Sequence, residues 1–498
     1  MEMAEQSSTP SVSAEQIPNL LKIGAVPVNT AMEVTTTIID PVVQNQRFIR
    51  FTIPPTGILH SHSKIQFAFA DQVTASYVPI NVGIAALIQR ATLKVGNQTV
   101  CEIDDFSHFT AYRSMFMANE TSRERLQYQT GQMMSKEFMY AADGETRVDV
   151  VPDVYGGGAS STLAETIGVS NGMSYNADGG PAALNTAQRI NTPQYLDLVK
   201  ADTNTNPTFQ WSLSDFFPFL KINQLPLYMM KEQVNLEFVL TQSGDAATVG
   251  ERVIVENGAA AGGTYDIDPA KTQMICDHIY YPQEMMLSYQ QANPKLNFSY
   301  VDYRLSKMTF DAGVSTGNQI RNVGGAGRLV SKVVWGMSNN WANSQATFFG
   351  TNDAQGVDRT YTDPPVFGDT QGTLTTNVKY NDRFVYPIDV DNNSRHFHNV
   401  VQSEGLVPFV SREEYSNEGI NLSGTRTLNG EVQQTFLGGK SNWSACALNR
   451  GERVNSRGIE IYFNYATLPV ANTFTMRAYV ETIRMATLEN GYLTCYWA

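Results

Sequence analysis

Two histidine pairs, His60-Ser61-His62 and His396-Phe397-His398, have the residue types and spacing that come nearest to metal chemistry in this chain. On an extended strand, side chains two apart share a face, so each pair could present two imidazoles to one ion, as in a cupin-like site. No carboxylate stands at a fixed spacing to complete either set, and ordinary sheet or loop contacts are expected for both pairs. Nucleophile chemistry is suggested twice by Gly-x-Ser-x-Gly, at 168–172 and 313–317. A nucleophile elbow needs a buried strand before the serine and a helix after it, whereas both matches lie in Gly/Asn-rich loops. The run Gly324-Gly325-Ala326-Gly327 resembles a phosphate loop, but a strand pattern follows it where a helix N-terminus should stand, so the glycines are expected to serve close strand packing. Asp277 and Glu284 would suit a glycosidase face, yet no second pair at a defined separation supports them, and surface solvation is expected. No catalytic, cofactor-binding or metal residue is therefore assigned, and the chain is not read as an enzyme.

Composition narrows the classes further. Lys plus Arg number 35 against 48 Asp plus Glu, a net charge of −13, and no basic run forms a positive patch for nucleic acid. The four cysteines, Cys101, Cys276, Cys446 and Cys495, are far apart and lack zinc-site spacing. Such sparse use of cysteine suits a reducing compartment. The opening residues carry Glu2 and Glu5 where a secretory signal would carry basic residues, and no apolar run approaches the length of a membrane span, so a soluble chain is expected. Without a secretory signal, the sequons at Asn97, Asn119, Asn297, Asn392, Asn421 and Asn442 are expected to go unused.

The elements that would position any site are strands. Segments 47–53, 64–70, 234–240, 274–281, 295–300, 329–335 and 458–465 are short, rich in β-branched and aromatic residues, and several alternate apolar with polar. Gly, Asn, Asp and Pro clusters between them supply turns. Only 104–129 reads as a helix, capped by Asp104 or Asp105, with Phe106, Phe109, Tyr112, Met115 and Phe116 at helical spacing. An all-β fold with one helical excursion is predicted. Phe216, Phe217, Phe219, Trp335 and Tyr462 are expected in its core.

The chain also repeats itself. "NVGIAALIQRATLKVGN" from 81 returns as "NVGGAGRLVSKVVWGMSN" from 322, and the landmarks Asn81/Asn322, Leu87/Leu329, Asn97/Asn339 and Phe67/Phe310 keep a spacing of about 242 residues. A looser echo links Leu236 with Ile459. So long a period describes one β-domain present twice, with an expected N-terminal arm at 1–29, a first domain at 30–290 and a second at 291–498. Long loops are expected at 141–210 and 340–380, both following the repeated strand. The arm offers only "IPNLLKIGAV" (17–26) for burial, so it is expected to order on a neighbour rather than alone.

"FQWSLSDFFPFLKINQLPLYMMKEQVNLEFVL" (209–240), with its Phe-Pro-Phe-Leu, its Leu-Pro-Leu and its closing Glu-Gln-Val-x-Leu-x-Phe strand, resembles the end of the first jelly roll in double-jelly-roll major capsid proteins of the Polinton-like virus and virophage type. The strand pattern at 87–106 adds to the resemblance, which covers roughly 30–490. The second half departs from it, with "CALNRGERVNSRGIEIYF" (446–463) and no Leu-Pro-Leu. The resemblance implies two tandem eight-stranded antiparallel sandwiches and homotrimers forming pseudo-hexagonal capsomers that tile an icosahedral shell. It implies neighbouring capsomers, penton and minor capsid proteins as partners, no cofactor, no specific nucleic-acid binding and no membrane insertion. The place implied is the virion, assembled inside a host cell. The alternative is a carbohydrate-binding or carbohydrate-cleaving double sandwich, which would need a concave aromatic and acidic cleft. The long loops are poor in Trp, which favours the capsid reading.

Overall fold

The computed structural model describes residues 32–45, 47–68, 76–79, 85, 87–114, 129–130, 137–139, 189–191, 195–197, 208–240, 255–256, 268, 270–310, 317–339, 374–390, 393–404, 425–428, 431–434, 443–465 and 474–498. The first half contains β1 (Glu33–Ile39), β2 (Val43–Asn45), β3 (Phe48–Ile53), β4 (Ile58–Leu59), β5 (Lys64–Ala68), β6 (Ser76–Pro79), β7 (Ile88–Val95) and β8 (Gln98–Asp104). It continues with β9 (Glu137–Met139), β10 (Arg189–Asn191), β11 (Tyr195–Asp197), β12 (Thr208–Ser212), β13 (Val234–Leu240), β14 (Val255–Glu256) and β15 (Gln273–Tyr280). The second half holds β16 (Lys295–Phe310), β17 (Gly317–Gly324), β18 (Leu329–Asn339), β19 (Leu374–Tyr380), β20 (Arg383–Phe384) and β21 (Thr425–Leu428). It ends with β22 (Glu431–Gln434), β23 (Trp443–Arg453), β24 (Ile459–Tyr465), β25 (Phe474–Glu489) and β26 (Tyr492–Trp497).

The second half shows its topology most completely. One sheet runs β16-β25-β18-β23 and the other β17-β24-β19-β20, all pairs antiparallel. β16 therefore lies beside β25 and β17 beside β24, so strands that open the half pair with strands near its end, as in a jelly roll. The first half repeats the key pairings. There β3 lies beside β13, β13 beside β7, and β5 beside β12, within the sheets β2-β3-β13-β7-β8 and β1-β15-β5-β12. Phe67 on β5 meets Phe238 on β13 edge-on at 6.1 Å, so the two sheets face each other across one core. The chain is a double jelly roll.

Local sequence explains these strands. Val234, Leu236, Phe238 and Leu240 alternate with Asn235, Glu237 and Val239, and the first set is buried, as a strand with one face on a core requires. The turn from β17 to β18 holds Gly324, Gly325 and Gly327 at positive φ, where a side chain would be strained. Of the three, only Gly325 is closely packed, against Ile459 and Val330. Turn handedness thus accounts for the cluster more than the close packing expected of it.

Several expectations change against the structure. The repeat places β7 and β18 correctly, since both lie beside the final strand of their roll. Phe67 and Phe310 are not equivalent, because Phe67 lies on the second strand of its roll and Phe310 ends the first. Leu236 and Ile459 likewise sit on a last and a next-to-last strand. The helix is described only as Phe106–Ser114; Met115 and Phe116 lie outside the described residues. The segments expected as long loops include β10, β11, β12 and β19, and their other residues lie outside the described ones.

The signature segment fills the first core. After β12 the chain makes two short helices, Leu213–Phe216 and Pro218–Ile222, the first capped by the Ser212 hydroxyl and the second opened by Pro218. Phe216 lies 5.0 Å from Phe106, 5.1 Å from Phe238 and 5.5 Å from Trp211, ring to ring. Phe216→Ala is expected to lower unfolding free energy by about 3–5 kcal/mol in urea denaturation. The control Phe384→Ala, at a ring half exposed, should cost far less. Equal costs would contradict this account of the core.

Candidate functional site

The residues with catalytic or ligand chemistry in the sequence do not converge. His60 and His62 sit in the turn before β5, where the His62 N–H donates to His60 Nδ1 at 3.0 Å. His396 and His398 lie on the helix Asn393–Glu404 and not on a strand, so residues two apart point in different directions. Asp277 accepts a hydrogen bond from the Thr36 hydroxyl at 2.7 Å, and Glu284 stands in the first turn of the exposed helix Gln283–Ala292. Residues 168–172 lie outside the described ones, and of 313–317 only Gly317 is described. The four cysteines are free thiols. Asn97 lies in the turn between β7 and β8, and Asn297 on β16 accepts from Thr487 Oγ1; the other four sequons lie outside the described residues. Among the described residues no cluster of three His, Cys, Asp or Glu could hold a metal ion, and no helix is long and apolar enough to cross a membrane.

What does converge is a buried polar seam between the two jelly rolls. The long strands β16 and β25 pair over their whole length, and β16 and β26 run alongside β8, the outer strand of the first roll. Asp302 on β16 is fully buried. Its Oδ2 accepts from Arg484 Nη1 at 3.2 Å and forms an ion pair with Arg304 Nη2 at 3.4 Å. Arg484 and Tyr300 both donate to the Val100 carbonyl of β8, at 2.7 and 2.8 Å. A second knot lies at the head of the helix Phe106–Ser114. Arg477 Nε donates to Asp105 Oδ2 at 2.7 Å, and Tyr479 Oη donates to the Asp105 carbonyl at 2.9 Å.

A third knot surrounds Lys332. Its ammonium donates to Glu404 Oε1 at 2.7 Å and lies 3.3 Å from Glu481 Oε2. Tyr112 of the first roll donates to Glu404, and Tyr303 donates to Glu481. Aromatic rings close the gaps between knots. Phe109 lies 4.5 Å from Tyr303 and 5.3 Å from Tyr479, and Phe219 of the signature segment lies 5.0 Å from Tyr300. One apolar cluster accordingly runs from the first roll's core into Tyr300, Tyr479 and Leu488 of the second.

Burial dominates the electrostatics here. It pushes the Asp302 carboxyl up, with Arg304 and Arg484 opposing. It would lower the Lys332 ammonium, but Glu481 and Glu404 outweigh it and hold that group above its usual range. Burial, with Glu404 and Glu481 beside them, raises the Tyr112 and Tyr303 phenols. His108, on the same helix, is lowered by burial and by Arg477 and Lys307. Such an arrangement sets each buried charge beside an opposite one. It fixes the position of one roll on the other, since a slip would leave buried charges without partners. Sequence reading singled out Asp105, Phe109, Tyr112 and Phe219 for the helix and the core but not the pairings that join them to the second roll, because those pairings link residues up to 384 positions apart.

No family model and no curated protein matches the chain. Solved structures do. The Sputnik virophage, determined by cryo-EM, matches at TM-score 0.53 and 10% identity, covering 95% of this chain and 90% of that one. PBCV-1 VP54, fitted into a reconstruction of the virophage Sputnik, matches at TM-score 0.50 and 10% identity over 96% of this chain and 100% of its own. The quasi-atomic PBCV-1 virus capsid matches at TM-score 0.50 and 11% identity, with the same coverage. The likeness is one of fold and spans both jelly rolls.

Two predictions arise from the seam. Asp302→Ala should lower unfolding free energy by about 3–5 kcal/mol by leaving Arg484 buried without its carboxylate. Arg457→Ala, which breaks an exposed pair with Asp382 at 2.6 Å, should cost no more than about 1 kcal/mol. Denaturant titration decides between a seam that matters and one that does not. The second prediction concerns pH. Lowered His108 and His278 take up protons in the unfolded chain before the folded one, so stability falls as pH drops below their ordinary value. Raised Lys332, Tyr112 and Tyr303 release protons first in the unfolded chain, so stability falls again as pH climbs past the ordinary lysine and tyrosine values. Thermal unfolding across pH should therefore show a maximum between these limbs, and Lys332→Met with His278→Phe should flatten both.

Proposed function

We propose that this chain is a viral major capsid protein whose homotrimers form pseudo-hexagonal capsomers. The observation that carries the reading is the seam. Two jelly rolls locked side by side act as one rigid block with two similar lobes, and three such blocks fill a hexagonal outline. The fold likeness to the Sputnik and PBCV-1 chains, over nearly the full length of each, supports it. The reading takes 30–290 and 291–498 as the two rolls and 1–29 as an arm that ties capsomers to each other or to minor capsid proteins. It also places assembly inside a host cell, favours a Polinton-like virus as source, and includes penton proteins as partners of the shell.

A trimer needs apolar surface to bury, and the described residues offer some. Val34 and Ile38 on β1, with Met32 and Val42 flanking it, are exposed. Met285, Leu287 and Tyr289 project from the helix Gln283–Ala292, which buries none of its residues within the chain. β1 pairs with β15, Glu33 opposite Tyr280, and that helix starts three residues after β15 ends, so the start of β1 lies at the end of β15 from which the helix leaves.

Light scattering on the purified protein should give about 165 kDa, three times the 55.1 kDa chain. Leu287→Asp with Ile38→Asp should shift that mass toward one chain while leaving the far-ultraviolet spectrum unchanged. A monomer at all concentrations in the unaltered protein would sink the proposal.

A further inference from the structure

We propose that Arg304, Arg328 and Arg484, gathered about Trp497, form a binding site for a phosphate-class oxyanion. The guanidinium carbons lie 5.1, 4.0 and 4.7 Å from the centroid of the Trp497 ring. Four elements bring them together: β16 carries Arg304, the turn into β18 carries Arg328, β25 carries Arg484 and β26 carries Trp497. Strand pairing sets Trp497 directly opposite Arg484.

Charge is unbalanced there. Among the described residues Asp302 is the one carboxylate within ion-pair distance of the group, and it takes Arg304 and Arg484 together. Arg328 has no carboxylate within ion-pair distance among the described residues, and Nε of both Arg304 and Arg484 is buried without an acceptor. Burial and the neighbouring Arg304 lower the Arg328 guanidinium, as expected of a cation held near others. A chain with net charge −13 thus concentrates two uncompensated positive charges at one spot.

The ligand class follows from that surplus. Stacking on the indole leaves guanidinium N–H edges open to oxygen acceptors, those of Arg328 above all, since Arg484 Nη1 is already given to Val100 and Asp302 and Arg304 Nη2 faces Asp302. A phosphate group carries about −1.5 to −2 charges at neutral pH and three acceptor oxygens, which match two positive charges and three donors. A single carboxylate would leave one charge over. Arg304 and Arg328 are partly exposed, so solvent reaches the cluster, whereas Arg484 anchors it to Val100 of the first roll. An anion held there binds the folded chain alone and stabilises the place where the rolls meet.

The full chain would be titrated with inorganic phosphate at constant ionic strength, by calorimetry and by thermal unfolding. Saturable heat and a rising Tm are expected, with affinity at least tenfold weaker in Arg328→Gln and partly restored in Arg328→Lys. Two further arms, a short single-stranded oligonucleotide and phosphatidylglycerol vesicles, separate sources of the same chemistry. Tighter binding to either, lost in Arg328→Gln, would assign the site to a phosphodiester or to a headgroup. Should Arg328→Gln lower Tm equally with and without phosphate, the cluster is a structural clamp on β26 and the proposal fails. It fails also if phosphate acts no differently from chloride.

Discussion

Asp302 has to keep its partners. An ionisable group with no solvent exposure is tolerated only where opposite charges and hydrogen bonds replace the water it has lost, and the opposite charges here come from two strands. Arg304 lies on its own strand, Arg484 on the neighbouring strand, and Arg484 reaches on to the Val100 carbonyl in the other jelly roll. Meeting these demands fixes how β8 lies against β16 and β25. The orientation of the two rolls is therefore a consequence of charge satisfaction as much as of apolar contact.

The same constraint explains the length of β16 and β25. Each is 16 residues long, well beyond an ordinary strand, and both carry charged side chains through their middle thirds. In a single sandwich such residues would face water. Here Tyr303, Arg477 and Tyr479 lie against the helix Phe106–Ser114 of the first roll and the Asp105 before it, so that face of the pair is occupied and the strands can continue. β8, an outer strand of its own sheet, is covered by the second roll and cannot recruit a foreign strand.

Legibility in the sequence follows this division. Strands whose environment is one core and one solvent face declare themselves by alternation, as Val234 to Leu240 do, and the doubled roll is visible in the matched positions of β7 and β18. β16 is readable only from 295 to 300, because the run Val301-Asp302-Tyr303-Arg304 resembles a solvated segment until its partners are known. That misreading also produced the false match of Phe67 with Phe310. Asp105 shows the limit most clearly. It stands where a helix cap belongs, yet its φ is positive and its carboxylate serves Arg477, 372 residues further on. No local pattern encodes such a pair.

Charge distribution then bears on how copies of the chain can meet. Asp105, Asp302, Glu404 and Glu481 are matched within the seam by Arg304, Arg477, Arg484 and Lys332, so that region is nearly neutral in itself. The excess of acidic residues must lie outside it, and like charge on approaching subunits opposes association. Attraction between copies has to come from apolar area instead, of the kind left open on β1 and on the helix Gln283–Ala292. Rigid joining within the chain and apolar joining between chains are thus divided between different residue types. The ionic contacts lie where water is excluded and salt has little effect, and the surfaces left for partners carry the charge that salt can screen.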